Sequence, residues 1–279
     1  MKSIFDYFNE KIRQAISGFK EKEIYEIRLR VNKPVVLNTA SGEQIMMSCI
    51  VCDKDIKDSF NRITEYSAYA YEENLVDGYI TVPGGHRIGV GGYMTLQSNQ
   101  SAVVKNIRFL NFRVRHFVDG CSNPIMEKLG QKNLENILII SPPAMGKTTL
   151  LRDMIKNISN QNRGTSICVI DERNEIGGCH RGIPTIDLGM RTDVISNCPK
   201  GEGILMAIRA MAPTMIAVDE IGGEEDKKAL EFAGISGVKI MATLHGKDTQ
   251  DAREKLGDRM FSMFDIKIII KGIGEYICC

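Results

Sequence analysis

Residues 141–149 read Ser-Pro-Pro-Ala-Met-Gly-Lys-Thr-Thr, and they follow an apolar run and open a helix-forming one. That setting suits a phosphate chain. Backbone N–H groups at a loop-to-helix junction point at an anion, and the helix dipole favours negative charge there. Gly146 lets the backbone approach, Lys147 supplies a cation to β- and γ-phosphates, and Thr148 offers a hydroxyl to Mg²⁺. The expected nucleotide-binding residues are Ser141, Pro142, Pro143, Ala144, Met145, Gly146, Lys147, Thr148 and Thr149, with ATP and Mg²⁺ as the expected cofactors. The loop departs from the strict pattern at Ser141, where a Gly normally stands, and at Ala144, where many such loops carry another.

Three further runs end in polar residues. Residues 215–220 (MIAVDE) place Asp219 and Glu220 at the carboxyl end of an apolar strand, where open α/β sheets bind ligands. There Asp219 is expected to share Mg²⁺ with Thr148, and Glu220 to act as the base for the attacking water. In CVIDERNEI, Asp171 and Glu172 end a second strand and are expected beside the triphosphate; a solvated turn is the alternative. In MATLHG, Thr243 and His245 end a third, where polar groups can touch the γ-phosphate or signal its loss. The catalytic set is thus Lys147, Glu172, Glu220 and His245. No Asn-Lys-x-Asp guanine-reading motif is present, which favours ATP over GTP. Arginines that could complete a neighbour's site are Arg28, Arg30, Arg87, Arg113, Arg115 and Arg191, although alternating Arg on a strand also fits a solvated sheet face.

The elements that must position these residues fall into two grammars. Residues 3–18 have the apolar spacing of one amphipathic helix. Short strand-like runs follow at 24–30, 34–38 and 44–49, then a helical segment over 53–71, then strands at 79–82, 86–93 and 103–114 separated by Gly-rich turns. After a turn cluster at 119–124 and a short helix at 125–129, strands and helices alternate. The strands are expected at 137–140, 166–170, 215–218, 239–243 and 266–270, with a long polar loop between the second strand and a helix at 203–211. Such alternation predicts a parallel sheet covered on both faces. The expected fold is therefore an α/β, RecA-like P-loop NTPase domain over 125–279, preceded by a smaller α+β domain over 1–124.

Composition bounds the function classes. The chain is 43% hydrophobic and 25% charged with net charge +1, ordinary for a globular protein. Charge is even along it: residues 1–132 carry 18 Lys+Arg against 15 Asp+Glu, and residues 133–279 carry 18 against 20. Nucleic acid is not expected as a partner. No stretch approaches the roughly 18 apolar residues of a membrane span, so a cytoplasmic location is expected. Of eight cysteines, Cys49 and Cys52 form a CxxC with no second pair, and Cys179 with His180 lacks further ligands. For Cys278 and Cys279 a lipidated tail competes with a plain terminal strand.

With these residues placed, the chain resembles the stage III sporulation protein AA family of endospore-forming bacteria. The resemblance rests on EIRLRVNKP, ITVPGGHRIGVGGY, the phosphate loop with TTLLRD, VIDERNEI, CPKGEGILMAIRAMAPTMIAVDEIG and ATLHG, in that order. The apolar run, DE, helix and TLHG are also similar to secretion and type IV pilus ATPases. By resemblance Glu172 falls in their Asp-box, Glu220 is the Walker B acid and His245 the His-box residue. The resemblance further implies a homohexamer whose N-terminal domain donates arginines between subunits. It implies an ATPase that powers or assembles a channel-like complex between mother cell and forespore, held at the membrane through membrane-protein partners. A nucleotide-gated scaffold with slow hydrolysis, or a nucleic-acid-dependent ATPase, are the alternatives.

Overall fold

A computed structural model of the chain describes residues 3–71, 75–76, 78–96, 102–130, 134–143, 145–161, 164–272 and 274–278. The chain divides into two compact units, Met1–His116 and Phe117–Cys279. The division falls ahead of the expected position after residue 124, which would cut through helix α3 (Asn123–Leu129). Residues just before that helix belong to the second unit because Asp153 accepts the backbone N–H groups of Gly120 and Ser122 at 2.9 and 2.7 Å.

In the first unit, strands β1 (Ile24–Arg30), β2 (Pro34–Thr39), β3 (Gly42–Ile50), β4 (Tyr79–Val82), β5 (His86–Leu96) and β6 (Ala102–Arg113) form one sheet in the order β3-β2-β1-β6-β5-β4. Every neighbouring pair is antiparallel. After an irregularity between Ile24 and Glu26, period-two alternation holds: Ile27 and Leu29 are buried, while Glu26, Arg28 and Arg30 take the other face. The buried face packs with Ile4, Phe8 and Ile12 of the N-terminal segment and with Ile56 and Ile63 of helix α2 (Asp53–Ile63).

Two helices are shorter than the sequence predicts. The 3–18 segment is a 3-10 turn at Ile4–Tyr7 and helix α1 (Glu10–Ala15), separated where Asn9 turns extended and its side chain caps the Ile12 N–H. Helix α2 stops at Ile63 because Glu65 and Tyr66 sit at φ 50° and 62°. A separate 3-10 turn then covers Ala68–Tyr71.

The second unit is the predicted α/β domain. Strands β7 (Ile137–Ser141), β8 (Ile167–Asp171), β9 (Thr192–Ser196), β10 (Met215–Val218), β11 (Lys239–His245), β12 (Ile266–Gly272) and β13 (Glu275–Cys278) run in the order β13-β12-β7-β11-β10-β8-β9. All neighbours are parallel except the β12–β13 hairpin. Strands β7, β8 and β10 are buried along their whole length. Each such Ile or Val stabilises the fold by roughly 1.5–3 kcal/mol, and burial on both faces explains their unbroken apolar runs. One face packs helices α5 (Lys200–Ala210), α6 (Glu224–Ile235), α7 (Thr249–Leu256) and α8 (Asp258–Met263); the other packs α3 and helix α4 (Lys147–Gln161).

Two expectations change here. The polar loop expected after residue 170 contains the edge strand β9, only partly buried and therefore lacking a continuous apolar run. Helix α5 starts at Lys200 rather than 203, so Gly203 is inside it. A Cβ on Gly203 would stand 2.6 Å from Ile170 Cγ2, so the missing side chain is what lets α5 lie against β8.

Candidate nucleotide site

The buried end of β7 delivers Ser141 to the loop, and Gly146, at φ 88°, makes the turn into α4 that no branched residue adopts comfortably. Lys147 is the first residue of that helix and is 8% exposed. Its ammonium donates to the Ser141 carbonyl at 3.2 Å and contacts His245 Nδ1. Burial pulls the Lys147 pKa below the ordinary lysine value, and the nearby Glu220 and Asp219 carboxylates oppose that shift. Pro142, Pro143, Met145 and Thr149 lie along the same turn and helix start; Ala144 lies outside the described residues.

Strand order explains how residues from three other strands meet this loop. Strand β11 lies between β7 and β10, with His245 paired to Ser141 and Ala242 to Val218. The carboxyl ends of all three strands therefore share one edge. Asp219 follows β10 and accepts the Thr148 hydroxyl at 3.3 Å, the Thr243 hydroxyl at 3.0 Å and the Glu220 N–H at 3.1 Å. Thr243 is fully buried, so its hydroxyl orients Asp219 within the protein. Glu220 reaches His245 Nε2 at 3.2 Å. Lys147, His245 and Glu220 thus form one polar chain, with the Thr148–Asp219 pair beside it.

The second acidic pair separates into two environments. Asp171, 1% exposed, accepts the N–H groups of Glu175, Ile176 and Gly177, each at 2.7–3.0 Å. Burial pushes its pKa up, and those three N–H groups pull it back. It holds the 174–177 turn in place. Glu172 instead faces Lys200, whose ammonium lies 2.8 Å from Oε2. A cleft of about 120 Å³ is lined by Asp171, Glu172, Arg173, Glu175, Lys200, Asp219, Glu220 and Gly222 among others, so both acidic strand ends open onto one space.

Sequence reasoning missed three contributors. Arg152, 2% exposed on α4, donates through Nε to the Glu175 carbonyl at 3.1 Å and through Nη2 to the same oxygen. This ties the phosphate-loop helix to the turn that Asp171 shapes. Lys200 and Asp226, 3.8 Å apart, are the other two. With the helix expected only from residue 203, the place of Lys200 at its first position, where the dipole repels cations, gave no signal in the sequence.

The arginines divide. Arg28, Arg30, Arg87, Arg113 and Arg115 belong to the first unit. Arg28 chelates Glu26 through Nε at 2.8 Å and Nη2 at 3.0 Å, and Arg87 lies over the Tyr79 ring. Arg87 pairs with Arg113 across β5 and β6, and the Arg115 N–H donates to His86 Nδ1 at 3.0 Å. Arg191, in the second unit, donates to the Ser159 carbonyl at 2.6 Å, near the far end of α4 from Lys147. It lies beside the start of β8, at the opposite end of the sheet from the loop. Cys49 and Cys179 are buried and Cys52 is exposed; among the described residues no group of three or more His, Cys, Asp or Glu could hold a metal. No described helix is long and apolar enough to cross a membrane.

Comparison with known proteins gives the family and the fold. The family described as "Sporulation stage III, protein AA" matches residues 2–275. Stage III sporulation protein AA of Bacillus subtilis (strain 168) is 37% identical over 261 residues, covering 91% of this chain and 85% of that protein. Among solved structures, the Legionella pneumophila ATPase DotB superposes with TM-score 0.62 at 15% identity, covering 93% of this chain and 74% of that one. The pilus retraction motor PilT, solved with bound ADP, superposes with TM-score 0.64 at 17% identity, covering 96% and 78%. At those identities the two structures establish the shared fold: a P-loop α/β domain preceded by a smaller N-terminal domain.

Proposed function

Because the chain belongs to the sporulation stage III protein AA family, we propose that it hydrolyses ATP as the motor or assembly factor of a secretion-like channel complex in sporulation. The observation that carries this reading is the chain Lys147–His245–Glu220 with Thr148–Asp219 alongside, all at one sheet edge.

The residues suit the nucleotide and its metal. A hydroxyl and a carboxylate 3.3 Å apart are hard oxygen donors, and one or two protein oxygens plus phosphate and water are what Mg²⁺ usually takes. Thr148 and Asp219 would hold that ion, which would supply positive charge to neutralise the phosphates. Lys147 would bind the same phosphates from the helix start. Glu220 would orient and deprotonate the attacking water, and His245, touching both, would link the state of the base to the occupancy of the loop. Glu172, across the cleft, would complete the polar wall. The 141–149 loop as a whole would wrap the phosphates with backbone N–H groups.

By likeness in fold to DotB and PilT, a ring of six copies at the cytoplasmic face of a membrane complex is the assembly proposed. Arginines of the first unit, from among Arg28, Arg30, Arg87, Arg113 and Arg115, would meet the neighbouring copy's nucleotide.

Purified protein is expected to turn over ATP in a Mg²⁺-dependent reaction. Lys147→Ala should abolish it, and Glu220→Gln should lower it by about 10²–10⁴-fold while nucleotide still binds. Wild-type protein that binds ATP without turnover would reject the motor reading. A scaffold reading is favoured by one observation: the two acids assigned to catalysis already have cationic or imidazole partners, Glu172 with Lys200 and Glu220 with His245. Under it, Glu220→Gln would support sporulation and Lys147→Ala would not.

A further inference from the structure

Lys200 lies where an isolated helix would not choose a lysine. It is the first residue of α5, with Pro199 as the preceding cap, at the positive end of the helix dipole. Its side chain is only 11% exposed, and its ammonium lies 2.8 Å from Glu172 Oε2 and 3.8 Å from Asp226 Oδ2. Asp226, 16% exposed, also accepts the Gly222 N–H at 3.0 Å. Gly222 is two residues after Glu220 and lines the same cleft.

The connectivity is therefore specific. One ammonium contacts the acid after β8 directly and, through Asp226 and Gly222, reaches the turn after β10. The helix that carries it is seated on β8 by Gly203, which leaves no room for a side chain against Ile170. A surface ion pair would need no such placement; a cross-brace between two catalytic turns would. Loss of the cation would leave two carboxylates, Glu172 and Asp226, facing each other across the same gap.

We propose that Lys200 is a positioning residue for ATP hydrolysis, fixing Glu172 against the turn that follows Glu220 and so setting the shape of the cleft between them. This rests on the hydrolase reading above. Lys200 acts through Glu172 and Asp226 and does not bind the nucleotide, so its removal should change turnover without changing nucleotide affinity.

The test compares wild type, Lys200→Met, Lys200→Arg, Glu172→Gln and the double variant Lys200→Met/Glu172→Gln. Readouts are kcat and KM for ATP, affinity for a non-hydrolysable ATP analogue, and the melting temperature. Lys200→Met is expected to lower kcat about 10-fold or more with KM and analogue affinity within about 2-fold of wild type. Lys200→Arg should recover most of kcat. In the Glu172→Gln background, Lys200→Met should cost little further, because coupled residues are non-additive. A full additional loss in that background overturns the inference, as does wild-type kcat in Lys200→Met or a fall confined to analogue affinity. If Lys200→Met melts too low to assay, Asp226→Asn takes its place, since it keeps the ammonium but weakens its second contact. Its kcat should fall at unchanged KM, and wild-type kcat there overturns the brace. Wild-type protein without turnover overturns both this inference and the hydrolase reading, whereas active wild type with equally active Lys200→Met overturns this one alone.

Discussion

His245 Nε2 lies 3.2 Å from the Glu220 carboxylate, while the other nitrogen of the same ring contacts the Lys147 ammonium. Neither partner is near His245 in sequence. A single imidazole at the end of β11 thus joins the lysine that opens helix α4 on one side to the acid after β10 on the other. The Lys147 ammonium also lies 3.5 Å from Nε2, so the ring is flanked by the lysine along one side and by the acid at Nε2.

That arrangement makes His245 a link and not a further base. His245→Ala is expected to lower ATP turnover by about 10–100-fold, with analogue affinity changed by only a few-fold. Steady-state kinetics beside equilibrium binding of a non-hydrolysable analogue checks this. A loss of binding as deep as that of Lys147→Ala would mean His245 works only by holding the lysine.

Thr243 supplies a second expectation. Its buried hydroxyl is one of two intraprotein donors to Asp219 Oδ1, the other being the Glu220 N–H. Thr243→Val keeps the shape and removes the donor, at a cost of about 1–2 kcal/mol for the hydrogen bond lost by the carboxylate. Half-maximal turnover should then require several-fold more Mg²⁺, and Thr243→Ser should restore the wild-type titration. An unchanged Mg²⁺ titration in the valine variant would show that Asp219 is oriented without Thr243.

In the first unit, Asp55 predicts an acid-sensitive step. Burial alone would raise its pKa, but the Lys11 ammonium at 2.6 Å, the Cys52 N–H at 2.8 Å and the Asn9 amide at 2.8 Å outweigh it and bring the value down to about 2. Because the folded value lies below the unfolded one near 3.8, the contribution is complete above pH 3.8. It is lost as pH falls toward 2. Urea unfolding of the full chain between pH 2 and 5 should show this slope. Asp55→Asn should flatten it and cost about 1–3 kcal/mol at pH 7, since hydrogen bonds to charged groups are the stronger ones. An Asp55→Asn variant as stable as wild type at pH 7 would remove the basis for the step.

The chemistry-bearing residues were legible because each sits where a short-range pattern changes. Ser141, Asp171, Asp219 and His245 all stand at or just after the ends of apolar runs, because a strand buried on both faces has room for such polar residues mainly at its end. Local rules also carry the alternation of β1 and the α/β succession after residue 137. They fail where tertiary contacts decide: β9 has no apolar run because it is an edge, and α2 ends at positive-φ residues that apolar spacing does not reveal.

What the sequence alone determined was the residue set and the kind of fold. Which residues touch was decided only by the insertion of β11 between β7 and β10, a long-range pairing that no local spacing encodes. The insertion puts an imidazole between lysine and acid and turns the Thr243 hydroxyl onto Asp219. Strand order is set by the burial of both faces of the whole sheet, a property summed over the domain, and so it becomes visible only when the domain is assembled.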